Sequence, residues 1–217
     1  MKRTPNKVRR GRLITLEGIE GVGKSTHLKF IARYLEQQGL KVLKTREPGG
    51  TPGADEIRDV LLKVRKETFE PMAELLLMFA ARALHVRDVI RPALAAGTWV
   101  VCDRFTDASY AYQGGGRGIP VQRIAALERM VLQGLRPDLT LLLDAKIELG
   151  MARIRKRGAL DRFERERGAF FARVRRAYLA RARREPRRIK VVDARGGLTE
   201  VQTEIAALLA ATLEDWR

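Results

Sequence analysis

One glycine-rich segment near the N-terminus constrains the fold more than any other part of the chain. It matches the pattern G-x-x-x-x-G-K-[ST] in full and reads Gly18-Ile19-Glu20-Gly21-Val22-Gly23-Lys24-Ser25. An apolar run, Leu13–Glu17, precedes it, and a helical pattern, Lys24–Gln37, begins at its end. Glycines in this context let backbone N–H groups converge on an anion at a helix N-terminus. The segment therefore predicts a phosphate-binding loop between a strand and a helix.

Short apolar runs alternate with longer helical patterns along the 217 residues. The alternation predicts parallel strands joined by crossover helices. The expected strands are Leu13–Glu17, Lys41–Thr45, Thr98–Cys102, Leu139–Asp144 and Ile189–Val192. The expected helices are Lys24–Gln37, Glu70 to about Ile90, Ile119–Leu132, Ile147–Arg157, Phe163–Arg184 and Thr199–Leu213. We therefore expect an α/β fold of the P-loop NTPase type: one domain over residues 12–217, with a doubly wound five-stranded parallel sheet and helices on both faces.

The formal net charge of +17 is concentrated in two segments. Residues 1–12 hold six basic residues and no acid, and residues 151–190 hold 16 basic residues against four acids. The first predicts a basic tail over residues 1–11, and most arginines of the second are expected on a solvated face. The aromatic residues of the second segment also fit core-facing helix positions, so no specific nucleic-acid partner is expected.

Single residues in and near the loop suggest phosphoryl chemistry. Lys24 is expected to reach the β- and γ-phosphates of a nucleotide, and the Ser25 hydroxyl to ligate Mg²⁺. Asp103 ends the third expected strand, where it can organise Mg²⁺ or its waters, and Arg104 can neutralise phosphoryl charge. The expected nucleotide-binding set is Gly18, Ile19, Glu20, Gly21, Val22, Gly23, Lys24, Ser25 and Thr26.

A P-loop does not by itself distinguish GTPases, ATPases and small-molecule kinases. Arg46 follows the second expected strand, where it can bind a phosphate, and Glu20 can accept a hydrogen bond from a sugar hydroxyl or help hold a cation. Phe79 and Arg82 share a helix face on their spacing, which fits either a core position or a base pocket. Residues 112–118 are expected to form a flexible, glycine-rich loop with polar groups.

Several motifs in order resemble bacterial thymidylate kinases over nearly the whole chain from about Arg12. They are Glu17 to Ser25, Arg46-Glu47-Pro48-Gly49-Gly50, Met78-Phe79-Ala80-Ala81-Arg82, Asp103-Arg104-Phe105, Ala111-Tyr112-Gln113-Gly114, Arg136 to Thr140 and Arg157-Gly158. The resemblance implies transfer of the γ-phosphoryl group of ATP to dTMP with Mg²⁺, giving ADP and dTDP for dTTP synthesis. It also implies a homodimer.

The resemblance further implies contacts with dTMP, residue by residue. These are Glu20 with the deoxyribose 3′-hydroxyl, Arg46 and Arg104 with the phosphate, Phe79 stacked on thymine, Arg82, Ser109 and Gln113 on the base, and Tyr112 crowding the 2′ position. Asp103 would support Mg²⁺ and the transfer geometry.

A helical lid over about residues 153–167 is also implied by the resemblance. The P-loop has no basic residue before Lys24, so the catalytic arginine would come from the lid, as in one subgroup of the family. Arg153 and Arg157 are the leading candidates, and Arg162 is the third.

Two other functions remain open on the sequence. One is a P-loop protein that binds nucleic acid through its arginine-rich segments; the other is a kinase for a different nucleotide, such as dUMP or a guanine nucleotide. The single cysteine, Cys102, favours a reducing compartment, and there is no apolar run of membrane-spanning length. We therefore expect a cytoplasmic protein with no membrane association.

Overall fold

The computed structural model describes residues 10–66, 69–155 and 160–216. Five parallel strands form one sheet in the order β2-β3-β1-β4-β5. The strands are β1 (Leu13–Glu17), β2 (Val42–Arg46), β3 (Trp99–Asp103), β4 (Leu139–Asp144) and β5 (Ile189–Asp193). The central β1 leads into the glycine-rich loop, and the winding direction reverses beside it. Ligands of doubly wound sheets bind at such a reversal, outside the carboxyl ends of the strands.

Helices cover both faces of this sheet, as predicted. They are α1 (Lys24–Gln37), α2 (Pro52–Leu62), α3 (Pro71–His85), α4 (Arg91–Ala95), α5 (Thr106–Ser109), α6 (Val121–Leu132), α7 (Ile147–Arg155), α8 (Gly168–Arg184) and α9 (Leu198–Asp215). A π-helical turn, Val86–Ile90, joins α3 to α4, and a second, Tyr110–Gly116, follows α5. No helix within the described ranges is long and apolar enough to cross a membrane.

The central strand is buried because both of its faces are covered. All five residues of β1 are buried. Ile14 and Leu16 belong to the cluster that includes Ile31 of α1 and Ile205 of α9, whereas Leu13 belongs to the cluster around the Val86–Ile90 turn and α4. Alternating side chains of a strand point to opposite faces, so a strand covered on both sides is buried throughout. Its two polar residues, Thr15 and Glu17, have hydrogen-bond partners inside the fold.

The start of α8 differs from the sequence-based expectation. The last long segment before β5 begins its helix at Gly168 and not at Phe163. The Asp161 carboxylate accepts the backbone N–H groups of Phe163 and Glu164 at 2.8 and 2.9 Å. This local turn satisfies the backbone groups that a helix would otherwise use, so α8 starts later.

Residues 112–118 were expected to be a flexible loop, and that expectation was wrong for most of them. Tyr110–Gly116 is π-helical, and both Tyr112 and Gln113 are buried within it. Its glycines allow α8 to pack closely, because a Cβ atom at Gly115 would lie 2.5 Å from the Ala177 methyl group. Close packing of backbones therefore accounts for the glycine run.

Several arginines of α8 and its C-terminal extension are bound, contrary to the expectation of a solvated face. Asp107 of α5 is 1% exposed and accepts Arg181 Nε at 2.6 Å and Arg188 Nη1 at 2.7 Å. Arg175 pairs with Asp144 at 2.6 Å. Burial would raise the pKa of Asp107, but the hydrogen bond from Arg188 and the charge of Arg181 outweigh it and lower that pKa. Part of the surplus charge therefore holds α5 against α8 and β5.

Loss of the Asp107 charge should destabilise the fold. In Asp107→Asn the two guanidinium groups lose their shared buried anion, and we expect the free energy of unfolding to fall by about 3 kcal/mol. Urea titration followed by circular dichroism measures this. Asp193→Asn removes an exposed partner of Arg195 and should leave the unfolding midpoint almost unchanged. Equal shifts in both variants would contradict the assignment.

A second buried carboxyl group, that of Glu17, ends β1. It is fully buried and accepts hydrogen bonds from the Phe105 backbone N–H at 2.8 Å and from the Tyr178 hydroxyl at 2.6 Å. Burial, assisted by the charge of Asp107, raises the pKa of Glu17 from 4.5 to about 7. The end of the central strand is thus joined to both the β3–α5 connection and α8.

The Glu17 carboxyl group should make the stability depend on pH. Between pH 4.5 and about 7 it stays protonated in the folded protein but ionises in the unfolded chain, so stability falls as the pH rises through that window. Between pH 5 and pH 8 the wild type should lose about 3 kcal/mol more than Glu17→Gln. Urea unfolding of both proteins at the two pH values measures the difference. The same pH dependence in both would overturn the prediction.

Candidate active site

A cavity of about 460 Å³ opens at the carboxyl ends of the strands. Its wall combines the P-loop, the ends of β2 and β3, the inner face of α3, the segment from Phe105 to Gln113, and part of the segment expected to form the lid. The predicted site residues on this wall are Glu20, Gly21, Gly23, Lys24, Ser25, Thr26, Arg46, Arg82, Asp103, Arg104, Ser109, Tyr112, Gln113 and Arg153. The fold therefore brings to one cavity residues that lie up to 133 positions apart in sequence.

Two backbone carbonyl oxygens of the P-loop hold the Lys24 ammonium group. Lys24 Nζ donates to the carbonyl oxygens of Ile19 at 2.8 Å and Gly18 at 3.3 Å. Burial, followed by the charge of Arg104, lowers the pKa of Lys24 to about 8. An anion bound in the loop would raise the pKa of Lys24 again, because a nearby negative charge favours the charged form of the lysine.

Gly21 allows α7 to approach the P-loop. Its φ of 72° lies in the left-handed region, and a Cβ atom on it would lie 2.1 Å from the Gly150 carbonyl oxygen. Close contact between these two backbones positions Arg153, one turn further along α7. Arg153 Nη1 donates to the Gly21 carbonyl oxygen at 3.4 Å.

The Arg104 guanidinium group is the centre of a partly buried polar cluster. Nη2 donates to Glu20 Oε1 at 2.9 Å and to the Tyr112 hydroxyl at 3.0 Å, and Nη1 donates to the Gly18 carbonyl oxygen at 2.9 Å. Tyr112 in turn donates to Glu20 Oε2 at 2.5 Å. Arg104 has a left-handed φ of 67°, a conformation that costs energy in a non-glycine residue and is typical of functional sites.

Nearby negative charges and phenolic oxygens keep this arginine charged. Burial would lower the pKa of Arg104, but Tyr112, Glu20, Tyr178 and Asp103 together raise it well above its ordinary value. The cavity therefore presents a permanent cation beside the P-loop.

The part of the cavity that lies against α3 is built around Arg82, which is 3% exposed. Its Nε donates to Glu47 Oε2 at 2.7 Å, and its Nη1 donates to the Ser109 hydroxyl at 3.0 Å. Glu47 is itself buried and also lies 3.1 Å from His85 Nδ1. A guanidinium group fixed in this way can present its remaining hydrogens in a defined direction.

Phe79 does not occupy the position predicted for it. The ring is 2% exposed, belongs to the cluster with Leu75 and Ile124, and is absent from the cavity wall. Met78 lies on the wall instead. Positions four apart share a helix face, so Met78 faces the cavity with Arg82, while Phe79 is turned by about 100° toward the core. The Arg82 guanidinium carbon lies 4.6 Å from the Phe79 ring centroid, so the ring supports the arginine from behind.

The three candidate lid arginines have different surroundings. Arg153 lies on the cavity wall beside the P-loop. Arg162 lies 2.7 Å from Glu74, and its Nε donates to the Leu61 carbonyl oxygen at 2.9 Å. Arg157 lies outside the described residues. Of the two that can be compared, Arg153 is the one in contact with the phosphate-binding loop.

The two residues expected to ligate Mg²⁺ both border the cavity. Asp103 Oδ1 is buried and accepts no hydrogen bond from the part of the chain that the structure describes. Ser25 is exposed at the start of α1. No group of three or more His, Cys, Asp or Glu within the described ranges could hold a metal ion. One carboxylate and one hydroxyl fit Mg²⁺, which takes its other ligands from water and substrate phosphates.

Sequence reasoning did not assign roles to Glu47, Glu74 and Tyr178. Each is nearly inaccessible, and each contacts a predicted site residue: Arg82, Gln113 and Arg104 respectively. Glu47 follows Arg46 in a motif that the sequence already singled out. The other two carry no motif signal, because their partners are distant in sequence.

Comparison with known proteins agrees with this geometry. The thymidylate kinase family model matches residues 16–205. The chain is 59% identical over 208 residues to a thymidylate kinase of Chromohalobacter salexigens, covering 95% of this chain and 98% of that protein. It is also 59% identical over 204 residues to a thymidylate kinase of Pseudomonas putida, covering 94% and 99%.

A solved structure shares the fold. The crystal structure of thymidylate kinase from Ehrlichia chaffeensis superposes with a TM-score of 0.74 at 32% identity, covering 92% of this chain and 99% of that one. The family model, the curated relatives and the solved structure therefore agree over nearly the whole chain, which belongs to the thymidylate kinase family.

Proposed function

We propose that this protein transfers the γ-phosphoryl group of ATP to dTMP, giving ADP and dTDP, and that the cavity described above binds both nucleotides. The observation that carries the proposal is the cavity itself. It joins a complete P-loop to a second pocket that presents Arg82, Ser109 and Gln113. An ATPase needs only the P-loop, whereas a kinase that phosphorylates a nucleotide also needs a pocket for the base of that nucleotide.

Phosphoryl transfer relies on position and charge more than on covalent chemistry. A phosphate oxygen of dTMP attacks the γ-phosphorus, and the bond from that phosphorus to the bridging oxygen of ADP breaks. Lys24, held at the P-loop, would neutralise the β- and γ-phosphates. Arg104 and Arg46, which both line the cavity, would hold the acceptor phosphate.

Mg²⁺ would be held by Ser25 and Asp103 together with phosphate oxygens and water. When bound, it neutralises charge that develops between the transferred and leaving groups. The unpartnered Asp103 Oδ1 supports this assignment.

The acceptor site would recognise the sugar and base of dTMP. Glu20 would accept the 3′-hydroxyl, and Tyr112, hydrogen-bonded to Glu20, would exclude a 2′-hydroxyl. Arg82, Ser109 and Gln113 would meet the edge of the base, and Met78 would supply apolar surface against it. We retain no stacking role for Phe79, because its ring is in the core.

We further propose a homodimer. Leu76 of α3 is 50% exposed and Met130 of α6 is 71% exposed, and these two helices pack together. A second copy would cover both side chains.

The single kinase domain would span residues 12–217, preceded by the basic tail over 1–11. A cytoplasmic location is proposed because a chain with one cysteine, Cys102, forms no internal disulfide, as is usual in a reducing compartment.

ADP formation should depend on dTMP. A coupled assay with ATP and Mg²⁺ should show rapid ADP release with dTMP as the acceptor. Release should be slower when the acceptor is dUMP, dCMP, dGMP or ribothymidine monophosphate. Without an acceptor, ADP release should be low, because closure over the phosphates excludes water. Equal ADP release with and without dTMP would contradict the proposal, as would faster turnover with a guanine nucleotide.

Arg153 should act in the transfer step. We expect Arg153→Ala to lower kcat by at least about 100-fold and leave KM for dTMP within about threefold, since the charge is needed mainly in the transition state. Steady-state kinetics at saturating ATP measure both constants. Arg176→Ala, which removes an exposed arginine of α8, is the matched control and should keep wild-type kcat. Wild-type kcat in Arg153→Ala would remove Arg153 from the mechanism.

A further inference from the structure

The Glu74 carboxylate is a buried charge that the proposed mechanism does not use. It lies in the first turn of α3, is 0% exposed, and does not line the cavity. A carboxylate taken out of water is costly unless it is bound on several sides. Its contacts therefore indicate what it does.

One of these contacts is with a residue of the cavity wall. Gln113 Nε2 donates to Glu74 Oε1 at 2.9 Å, and both side chains are buried. An ionised carboxylate can only accept hydrogen bonds, whereas a glutamine amide carries a donor at one end and an acceptor at the other. The amide nitrogen of Gln113 must therefore face Glu74, and the carbonyl oxygen is the atom left to face the cavity.

Two arginines hold the carboxylate in place. Arg162 Nη2 lies 2.7 Å and Arg117 Nη2 lies 3.4 Å from Glu74 Oε2. Each arginine also has another partner: Leu61 for Arg162, and Glu166 for Arg117, at 2.6 Å. This arrangement neutralises Glu74, and its Oε1 atom accepts both the Gln113 amide at 2.9 Å and Arg117 Nε at 3.4 Å.

The orientation of this amide matters for the choice of base. Thymine and uracil carry N–H, a donor, at ring position 3, while cytosine has an unprotonated nitrogen there and an amino group at position 4. A carbonyl oxygen accepts a hydrogen bond from the N–H at position 3 of thymine or uracil. It is repelled by the lone pair of the unprotonated nitrogen at position 3 of cytosine. A polar group fixed in a buried site discriminates by this complementarity, because the wrong ligand leaves it unpaired.

We propose that Glu74 is a positioning residue that acts through Gln113 to select a nucleobase with N–H at ring position 3 over cytosine. The inference rests on the proposed function, since it takes Gln113 to meet the base of the acceptor nucleotide. It adds a residue that touches neither substrate and determines which edge the pocket accepts.

The test is the ratio of kcat/KM for dTMP to that for dCMP. In Glu74→Gln the new amide can either donate or accept, so Gln113 is no longer held in one orientation. We expect this ratio to fall at least tenfold, mainly through a higher KM for dTMP. Glu74→Asp keeps the charge beside both arginines but withdraws it from Gln113, and should give the same loss of selectivity.

The matched control is Glu166→Gln. It removes the other carboxylate partner of Arg117 and makes no contact with Gln113, so the ratio should stay within twofold of wild type. Thermal unfolding of all variants reports whether each is folded. Arg117 and Arg162 keep a second partner in Glu74→Gln, so we expect it to fold.

A double variant tests the direction of the hydrogen bond. In Glu74→Gln with Gln113→Glu, the amide at 74 donates to the carboxylate at 113, which again offers only acceptors to the base. We expect the double variant to regain at least threefold of the selectivity lost by Glu74→Gln.

The possible outcomes separate the inference from the proposed function. Wild-type protein that forms no ADP with dTMP would overturn the proposed function and the inference with it. An active wild type, with folded Glu74→Gln and Glu74→Asp both within twofold of its selectivity, would overturn the inference alone. So would a fall in selectivity in Glu166→Gln equal to that in Glu74→Gln.

Discussion

Buried carboxylates at the carboxyl end of the sheet must be neutralised, and the arrangement of the site depends on how this is done. Glu47 binds Arg82, Glu74 binds Arg162 and Arg117, and Asp107 binds Arg181 and Arg188. In each case the arginine comes from a distant part of the chain. Because an unpaired charge in such a place costs several kcal/mol, these pairs fix the relative positions of α3, α5, α8 and the segment before α8.

This constraint gives the surplus charge of the chain a structural meaning. A net charge of +17 first indicates a polyanion partner. In the folded protein, arginines of the C-terminal basic segment cover Asp107, Asp144 and Glu74. Arg153 in the same segment is directed to the P-loop. The polyanions that fit the remaining cavity charge are nucleotides, and the arginines that stay exposed on α8 have no role in the proposed reaction.

Prediction from sequence succeeded where the signal is local. The P-loop, the five strands and α1 follow from spacing between neighbouring residues, and the structure confirms them. Prediction from sequence failed where tertiary packing decides which side chains face the cavity and which segments are helical. The stacking position expected for Phe79 came from the family resemblance, but on α3 the Phe79 ring lies in the core and Met78 borders the cavity with Arg82. Residues 112–118 were expected to form a loop because glycine usually signals turns. Tyr110–Gly116 is instead π-helical, and its glycines allow α8 to pack closely.

The sequence by itself determined the fold class, the phosphate-binding loop and the family, because each is written in a contiguous motif or in the order of motifs. Only the tertiary structure decided which charges are buried and what each one holds. Glu47, Glu74 and Tyr178 lie 35, 39 and 74 positions from the site residues they contact. Such pairing depends on where the strands end and how the helices cross, and no local pattern of residues specifies either.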